Sequence, residues 1–208
     1  GTTAAASDLK ALDAKTSVKV DATALSVSGT AAQLKELAAA KGVQLAKDVA
    51  LTVSGTTNAA DLAAVLKATT GVVSATVAAD TASALNSALK DANSSDALTL
   101  KVSGSTATAK DLISLDGKTY VKIGLTVGEI TGNIAEITNV FITNAAGFDA
   151  TLGASNANIS GTVDAAAADK IADATTGVVT ATIKADTAAV LNKTLTDGNT
   201  NAYKLTVT

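Results

Sequence analysis

The sequence predicts an α/β protein, a right-handed α/β solenoid of about eight helix–strand coils with a parallel sheet. Three observations support this prediction. The chain contains an internal duplication, predicted helices alternate with short predicted strands, and aromatic residues make up only 2% of the chain. Short alternating elements in repeated units are typical of proteins in which each unit buries its apolar face on its neighbours.

The duplication is visible in two pairs of aligned segments. Residues 71–104 read GVVSATVAADTASALNSALKDANSSDALTLKVSG and align with residues 177–208, GVVTATIKADTAAVLNKTLTDGNTNAYKLTVT. Residues 8–20, DLKALDAKTSVKV, align with residues 111–123, DLISLDGKTYVKI. Self-similarity of this kind is the sequence signature of repeat architectures.

We therefore predict two copies of one four-coil unit, a first repeat of residues 1–104 and a second repeat of residues 105–208, in one continuous solenoid rod. Each copy divides again at a recurring phrase, LSVSGT, LTVSGT, LKVSGS or NISGT. A helix is predicted after each phrase, and other helices are predicted to begin between them. The predicted helices are 30–41, 57–68, 106–115 and 163–174, with others beginning near Ala4, Asp80, Asn133 and Asp186.

The helices are predicted from apolar residues that recur on one face, such as Leu34 with Leu37 and Leu62 with Leu66. Acidic residues mark their starts, where free backbone N–H groups and the helix dipole favour an anion. These residues are Asp80 and Asp186 as caps, and Asp8, Asp61 and Asp111 in first turns. Gly71 and Gly177 are predicted to end helices as left-handed residues. The predicted core comprises Leu9, Leu12, Leu37, Leu62, Leu85 and Leu89.

The strands are predicted from alternation of apolar and polar residues. They are 18–20, 51–53, 73–77, 98–102, 179–183 and 205–207. Extra extended segments, SVKV before ALSVSG and GVQLA before ALTVSG, allow a second short sheet face. Residues 132–161 are rich in Asn and Gly and hold both phenylalanines, which predicts a loop insertion in that coil.

The composition excludes much catalytic chemistry. The chain contains no Arg, His, Cys, Met, Trp or Pro, so it lacks the usual neutral-pH proton shuttle, a thiolate nucleophile and a guanidinium anion clamp. Ser28, Ser54, Ser103 and Ser160 each precede a glycine at the same corner of a coil, which indicates a structural turn because a catalytic serine is needed only once. We expect no enzyme activity and no catalytic, cofactor-binding or metal-binding residues.

The charge pattern limits the partners. The net charge is −3 and no basic run is present, which argues against nucleic acid as a partner. No apolar run approaches the roughly 18 residues of a membrane span, so no membrane insertion is expected. The absence of cysteine suits an extracellular surface protein and equally a cytosolic one.

Oxygen-rich turns provide an alternative, calcium binding, at residues 91–96, 155–158 and 197–201. The same residues are common in solvated turns, and the spacing of an EF-hand is absent, so the turn interpretation is favoured and no cofactor is expected. A threonine array on the sheet raises ice binding as a further alternative. Threonine's ordinary preference for strands explains the pattern better, because the array is not one fixed Thr-x-Thr per coil.

The phrases VSGTxxxxxxL and TTGVVxATxxADT, with the Ala-, Thr- and Asp-rich, cysteine-free composition, resemble repeat segments of very large secreted bacterial surface proteins. These are the giant haemolysin-type and S-layer-like proteins of aquatic bacteria and cyanobacteria. The resemblance implies type I secretion and a place in surface layers, fibres or adhesins. The acidic calcium nonapeptides usual in that class are missing here, and no functional residue is carried over.

The sequence thus predicts a structural repeat segment of an extracellular or cell-surface protein, with an adhesin that uses the irregular region 141–161 as the alternative. It also predicts self-association. Residues 205–208, LTVT, joined to residues 1–3, GTT, nearly reproduce the internal phrase LTVSGTT, which indicates a whole number of repeats without caps. Exposed Leu205 and Val207 at one end, with Leu9 and Leu12 at the other, are therefore expected to associate head to tail and form filaments.

Overall fold

The computed structural model describes residues 2–196 and 200–208. Contacts divide the chain into two compact units. The first comprises Gly1–Ala79, Ala84–Leu100 and Gly117–Val121, and the second comprises Asp80–Ser83, Lys101–Asp116 and Lys122–Thr208. Each unit has its own parallel sheet.

In the first unit, five parallel strands lie in the order β1-β3-β5-β6-β7, and β2 and β4 form a separate parallel pair. This pair occupies the segments that allowed a second short sheet face. The strands are β1 Thr3–Ala5, β2 Val20–Asp21, β3 Ser26–Gly29, β4 Val43–Gln44, β5 Leu51–Thr57, β6 Val73–Val77 and β7 Ala97–Thr99.

The second unit has five parallel strands in the order β12-β11-β10-β9-β8. They are β8 Lys101–Thr108, β9 Gly124–Asn133, β10 Asn156–Val163, β11 Val179–Ile183 and β12 Ala202–Lys204. In each five-stranded sheet the strands follow one another in chain order. Each strand is therefore hydrogen-bonded to the strands that precede and follow it in that sheet.

Residues 2–196 and 200–208 contain eight α-helices, one at each predicted start. They are α1 Ala6–Asp13, α2 Ala31–Ala39, α3 Ala59–Leu66, α4 Ala82–Ala88, α5 Ala109–Asp116, α6 Ile134–Thr138, α7 Ala165–Ala172 and α8 Ala188–Thr194. The α/β class with parallel sheets is confirmed. No helix among the described residues has the length and apolar character needed to cross a membrane.

Equivalent strands of the two repeats pair in the same register. Thr3 lies beside Ser26 in the first repeat, and their equivalents Thr106 and Glu129 are paired in the second. At two of the four recurring Ser-Gly corners the strand register shifts, between Thr52 and Thr56 and between Asn158 and Thr162. Glycine is required at Gly55, whose φ of +74° disfavours a side chain.

The core consists of small and medium aliphatic side chains between the helices and the sheets. Five of the six predicted core leucines are buried: Leu9, Leu37, Leu62, Leu85 and Leu89. The prediction for Leu12 is wrong, because half of its side chain is exposed. Leu12 belongs to α1, which packs against α2 on one side.

Three predicted strands differ from the structure. The predicted strand 98–102 is divided between β7 and β8, with Leu100 outside both. At the C-terminus the strand is Ala202–Lys204 rather than 205–207, and only an isolated bridge joins Asp186 to Val207. Near the N-terminus the strand begins only at Val20, because the N–H of Val18 bonds the side chain of Thr16 and the chain turns there.

The helix-end role predicted for Gly71 and Gly177 is wrong. Neither has a positive φ, and α3 already ends at Leu66. Glycine is needed for space instead. A Cβ at Gly71 would lie 2.1 Å from the carbonyl oxygen of Asp48, and one at Gly177 would lie 2.4 Å from that of Ser155.

Candidate functional site

We use coil for one helix with the strand or strands that follow it. In three coils, a threonine hydroxyl forms hydrogen bonds to the preceding coil. The hydroxyl of Thr69 donates to the carbonyl of Val49 over 2.6 Å and accepts the N–H of Gly71 over 2.9 Å. Thr175 makes the matching bonds with Ser155 and Gly177, over 2.7 and 3.0 Å. We call this arrangement the threonine hook.

The third hook is centred on Thr119, which is buried. Its hydroxyl lies 2.9 Å from the carbonyl of Leu98 and accepts the N–H of Val121 over 3.1 Å. The neighbouring Tyr120 N–H donates to the carbonyl of Asp96 over 3.1 Å. A repeated hydrogen bond of this kind ties neighbouring coils together, so these threonines have a structural role.

The Asn- and Asp-rich turns use their side chains on backbone groups. Asp96 is buried, and its two carboxylate oxygens accept the N–H groups of Val73 and Asn93 over 2.8 and 2.9 Å. Asn201 likewise accepts the N–H of Val179, and Asn156 that of Val178. Of the turn 197–201, residues 197–199 lie outside the described residues. These bonds favour the interpretation of the turns as structural.

The acids predicted at helix starts act in two ways. Asp8, Asp61 and Asp111 lie in first turns, as predicted. Asp80 and Asp186, the predicted caps, each accept the N–H of the next residue, Thr81 and Thr187. The cap prediction for Asp186 is wrong by one residue, because Thr187 caps α8 by accepting the N–H of Val190.

The irregular region 141–161 is ordered rather than a loop insertion. A π-helix, Asn139–Thr143, and two 3₁₀ turns, Ala145–Gly147 and Ala150–Ala154, lead into β10. Phe141 and Phe148 are buried, so this region presents no aromatic platform for a sugar. Apolar burial explains the aromatic residues there.

A cleft of about 470 Å³, which we call the polar cleft, opens at the carboxyl ends of β8 and β9, beside the middle of β10. The carboxyl edge of a parallel sheet is where α/β proteins commonly bind ligands. The polar cleft is lined by Thr108, Lys110, Thr131, Gly132, Glu136, Asn158 and Ser160. Two lining residues also cap helices: Thr108 accepts the N–H of Asp111, and Glu136 completes a capping box with Asn133.

A second depression, of about 290 Å³, lies on the C-terminal coil. Its lining is mainly apolar and consists of Ala188, Leu191, Asn192, Leu195, Leu205 and Val207. We call it the C-terminal groove. Leu205 and Val207 are exposed in it, as the sequence predicted for these two residues. At the other end Leu12 is half exposed, but the expectation that Leu9 is exposed is wrong, because Leu9 lies on the buried face of α1.

Within the described part of the chain, three carboxyl groups have shifted pKa values. Burial raises the pKa of Asp116, whose carboxylate packs against Gly147. Hydrogen bonds from the backbone and side chain of Thr23 lower the pKa of Asp21. The hydrogen bond and charge of Lys10 lower the pKa of Glu36. These carboxyl groups belong to separate coils and form no common site.

Among residues 2–196 and 200–208, no group of three or more acidic side chains lies close enough together to hold a metal ion. The expectation that the protein carries no cofactor remains a prediction. Comparison with protein-family models, curated proteins and solved structures found no match to this chain.

Proposed function

We propose that this chain is a non-enzymatic structural repeat segment of an extracellular or cell-surface protein, with a role in a surface layer, fibre or stalk. Its coils would continue one another as a right-handed α/β solenoid rod. The observation that carries the proposal is the threonine hook, which fastens coil to coil with the same bonds at Thr69 and Thr175 in the two repeats.

The hook supports a structural role because its geometry depends only on neighbouring coils. Strands follow one another in chain order, and equivalent strands of the two repeats share their register. A unit built in this way can be added without changing the units before it, which is how repeat proteins extend. The aliphatic, aromatic-poor core suits thin coils that stack closely.

Small-angle X-ray scattering tests the solenoid. The scattering of a rod shows a constant cross-section and a maximum dimension much larger than its width, whereas two independently tumbling globular units give neither. Antibody labelling of intact producing cells tests the location. Labelling without permeabilisation is expected, and labelling only after lysis would contradict a surface role.

The second candidate function is a binding module, an adhesin, and the polar cleft is the observation that favours it. The cleft brings Lys110 and Glu136 together with threonine, serine and asparagine side chains, a mixture able to bind a polar ligand such as a glycan. Deleting part of 141–161 would remove the buried Phe148 and Leu152 and disrupt the fold, so point variants are required.

A glycan array tests this candidate with two variants of equal charge change. Lys110→Ala removes the cleft's cation, and Lys67→Ala removes an exposed lysine at the end of α3. Binding lost in the first variant and kept in the second would support an adhesin. Absence of binding by the unmodified chain would leave the structural function as the only candidate.

A further inference from the structure

The C-terminal groove exposes residues whose equivalents in the first repeat are buried. Leu205 is 48% exposed and Val207 is 61% exposed, whereas the equivalent residues Leu100 and Val102 are 1% and 0% exposed. The bridge to the preceding turn is the same, because Asp186 bridges Val207 as Asp80 bridges Val102, although Val102 lies in β8 and Val207 lies outside any strand. The difference therefore lies in what covers the two valines.

Val102 is covered by the coil that follows it. Strand β8 pairs with β9 in parallel, with Val102 beside Leu125, and α5 packs against both strands. The hydroxyl of Thr126 donates to the carbonyl of Val102 over 3.1 Å. The covering residues belong to the first coil of the second repeat. The C-terminal residues of the first repeat are therefore covered by the first coil of the next repeat.

The first coil of the first repeat presents the matching surface. Its third apolar helix position, Leu12, is half exposed, although the same position is buried in the helices that pack on an earlier one. The buried residues at this position are Leu37 in α2, Val65 in α3 and Ile171 in α7.

A threonine that makes half of the hook lies on the same coil. Thr16 is equivalent to Thr119 and accepts the N–H of Val18 over 3.1 Å, as Thr119 accepts that of Val121. Thr119 also reaches the carbonyls of the coil before it, whereas Thr16 is exposed. Leu12, Thr16 and Val18 together form what we call the N-terminal surface.

We propose that the C-terminal groove of one copy binds the N-terminal surface of a second copy, head to tail. The inference rests on the proposed function, because it treats the coils of the two repeats as interchangeable. In the contact, α1 of the second copy covers Leu205 and Val207, as its equivalent α5 packs against β8 and β9 within the chain. Thr16 of the second copy faces the carbonyl of Asn201, the equivalent of Asp96.

The surfaces are different on the two partners, so the contact is heterologous and each added copy offers a fresh groove. Such contacts build open filaments unless the rotation closes a ring. The buried pair is largely apolar, so a charge placed in it would be buried without a partner, which is costly. These two properties determine the test.

Analytical ultracentrifugation over a concentration series, up to millimolar, should show the unmodified chain growing beyond a dimer. Val207→Asp and Leu12→Asp should each lower the association constant by at least about tenfold. Ile142→Asp, which charges an exposed apolar side chain of the π-helix, should associate as the unmodified chain does. Circular dichroism confirms that all three variants fold.

Mixing the two blocked variants gives the decisive result. Val207→Asp keeps its N-terminal surface and Leu12→Asp keeps its groove, so an equimolar mixture should form a one-to-one dimer and nothing larger. Dimerisation of either variant alone would show a symmetric contact and overturn the proposal. A strict monomer for the unmodified chain at millimolar concentration would overturn it as well.

Failure of this inference can be separated from failure of the proposed function by a head-to-tail fusion of two complete copies. The peptide link raises the effective concentration of the two surfaces to the millimolar range. Slow amide exchange at Val207 of the first copy in the fusion, without association of free copies, would overturn the binding of one copy to another. It would leave the proposed modular repeat in place. Fast exchange in the fusion would contradict both.

Discussion

Thr69 and Thr175, which occupy equivalent places in the two repeats, make the same bonds to the preceding coil. Each hydroxyl donates to one carbonyl of that coil, Val49 for Thr69 and Ser155 for Thr175, and each accepts the N–H two residues later. The same interaction therefore occurs twice in the chain. In both places it is made by the first threonine of the phrase TTG.

Replacing Thr69 with valine keeps the shape of the side chain and removes the hydroxyl. We expect a loss of about 1–3 kcal/mol in the free energy of unfolding, because the Gly71 N–H and the Val49 carbonyl lose their partner. Thr175→Val should cost a similar amount. Thr52→Val, on the exposed face of β5, is the control and should change stability little. Urea denaturation measures all three, and equal losses at Thr69 and Thr52 would contradict the hook.

Adding one methyl group to Gly71 should destabilise the protein because the Cβ would meet the carbonyl of Asp48. The backbone must move apart, and we expect a cost of at least about 1–3 kcal/mol, the range for overpacking. Gly153→Ala is the matched control, since open space surrounds its Cβ position and its φ is not positive. Thermal melting of the two variants makes the comparison. A stable Gly71→Ala protein would show that the close approach is not required.

The turn at Asp96 is expected to be structural. Asp96→Ala should lower the free energy of unfolding by about 1–3 kcal/mol for each N–H left buried without a partner, and Asp96→Asn should recover part of it, as Asn201 does at the equivalent place.

Millimolar calcium should leave the melting temperature of the unmodified chain unchanged, because a ligand stabilises a protein only by binding its folded form preferentially. Differential scanning calorimetry with and without chelator checks this expectation. A rise of many degrees that chelator reverses would establish a calcium site.

Burial of the helix leucines can be tested by truncation. Leu62→Ala or Leu85→Ala should cost about 2–5 kcal/mol, because each is fully buried and its removal leaves a cavity. Leu12→Ala should cost much less, since half of that side chain already contacts water. Guanidinium denaturation gives the values. A loss at Leu12 as large as that at Leu62 would mean that Leu12 is covered in solution, which head-to-tail association at high concentration would produce.

Asp116 should make the protein less stable as the pH rises. Its pKa in the folded state lies above 3.8, the ordinary value for an aspartate side chain, because burial penalises the charged form. The folded state therefore binds the proton more tightly than the unfolded chain does, and stability falls as the pH rises from 3.8 through the folded pKa. The melting temperature of Asp116→Asn, relative to the unmodified chain, should rise over the same interval. A constant difference would show that Asp116 is not desolvated.

Local sequence determined the repeat, the α/β class, all eight helix starts and most of the strands. Helix starts follow from apolar period and acidic first turns, as at Asp61 and Asp111, and strands 73–77 and 179–183 follow from alternation. Such signals lie within a few residues of the element they specify. The exposure of Leu205 and Val207 was also predictable, since the internal repeat showed which partner they lack.

Tertiary structure alone decided the features that depend on a neighbouring coil. The sequence around Gly71 is typical of a helix end. Glycine is needed there because a side chain would meet the carbonyl of Asp48, which lies in the preceding coil. The hydroxyl of Thr69 finds its acceptor in the preceding coil for the same reason. Leu12 lies on the apolar face that the helical period predicts, yet it is half exposed. The period identifies the apolar face of a helix, but burial also requires another element that packs against that face. The helix and strand patterns are local information, and the contacts between neighbouring coils are not.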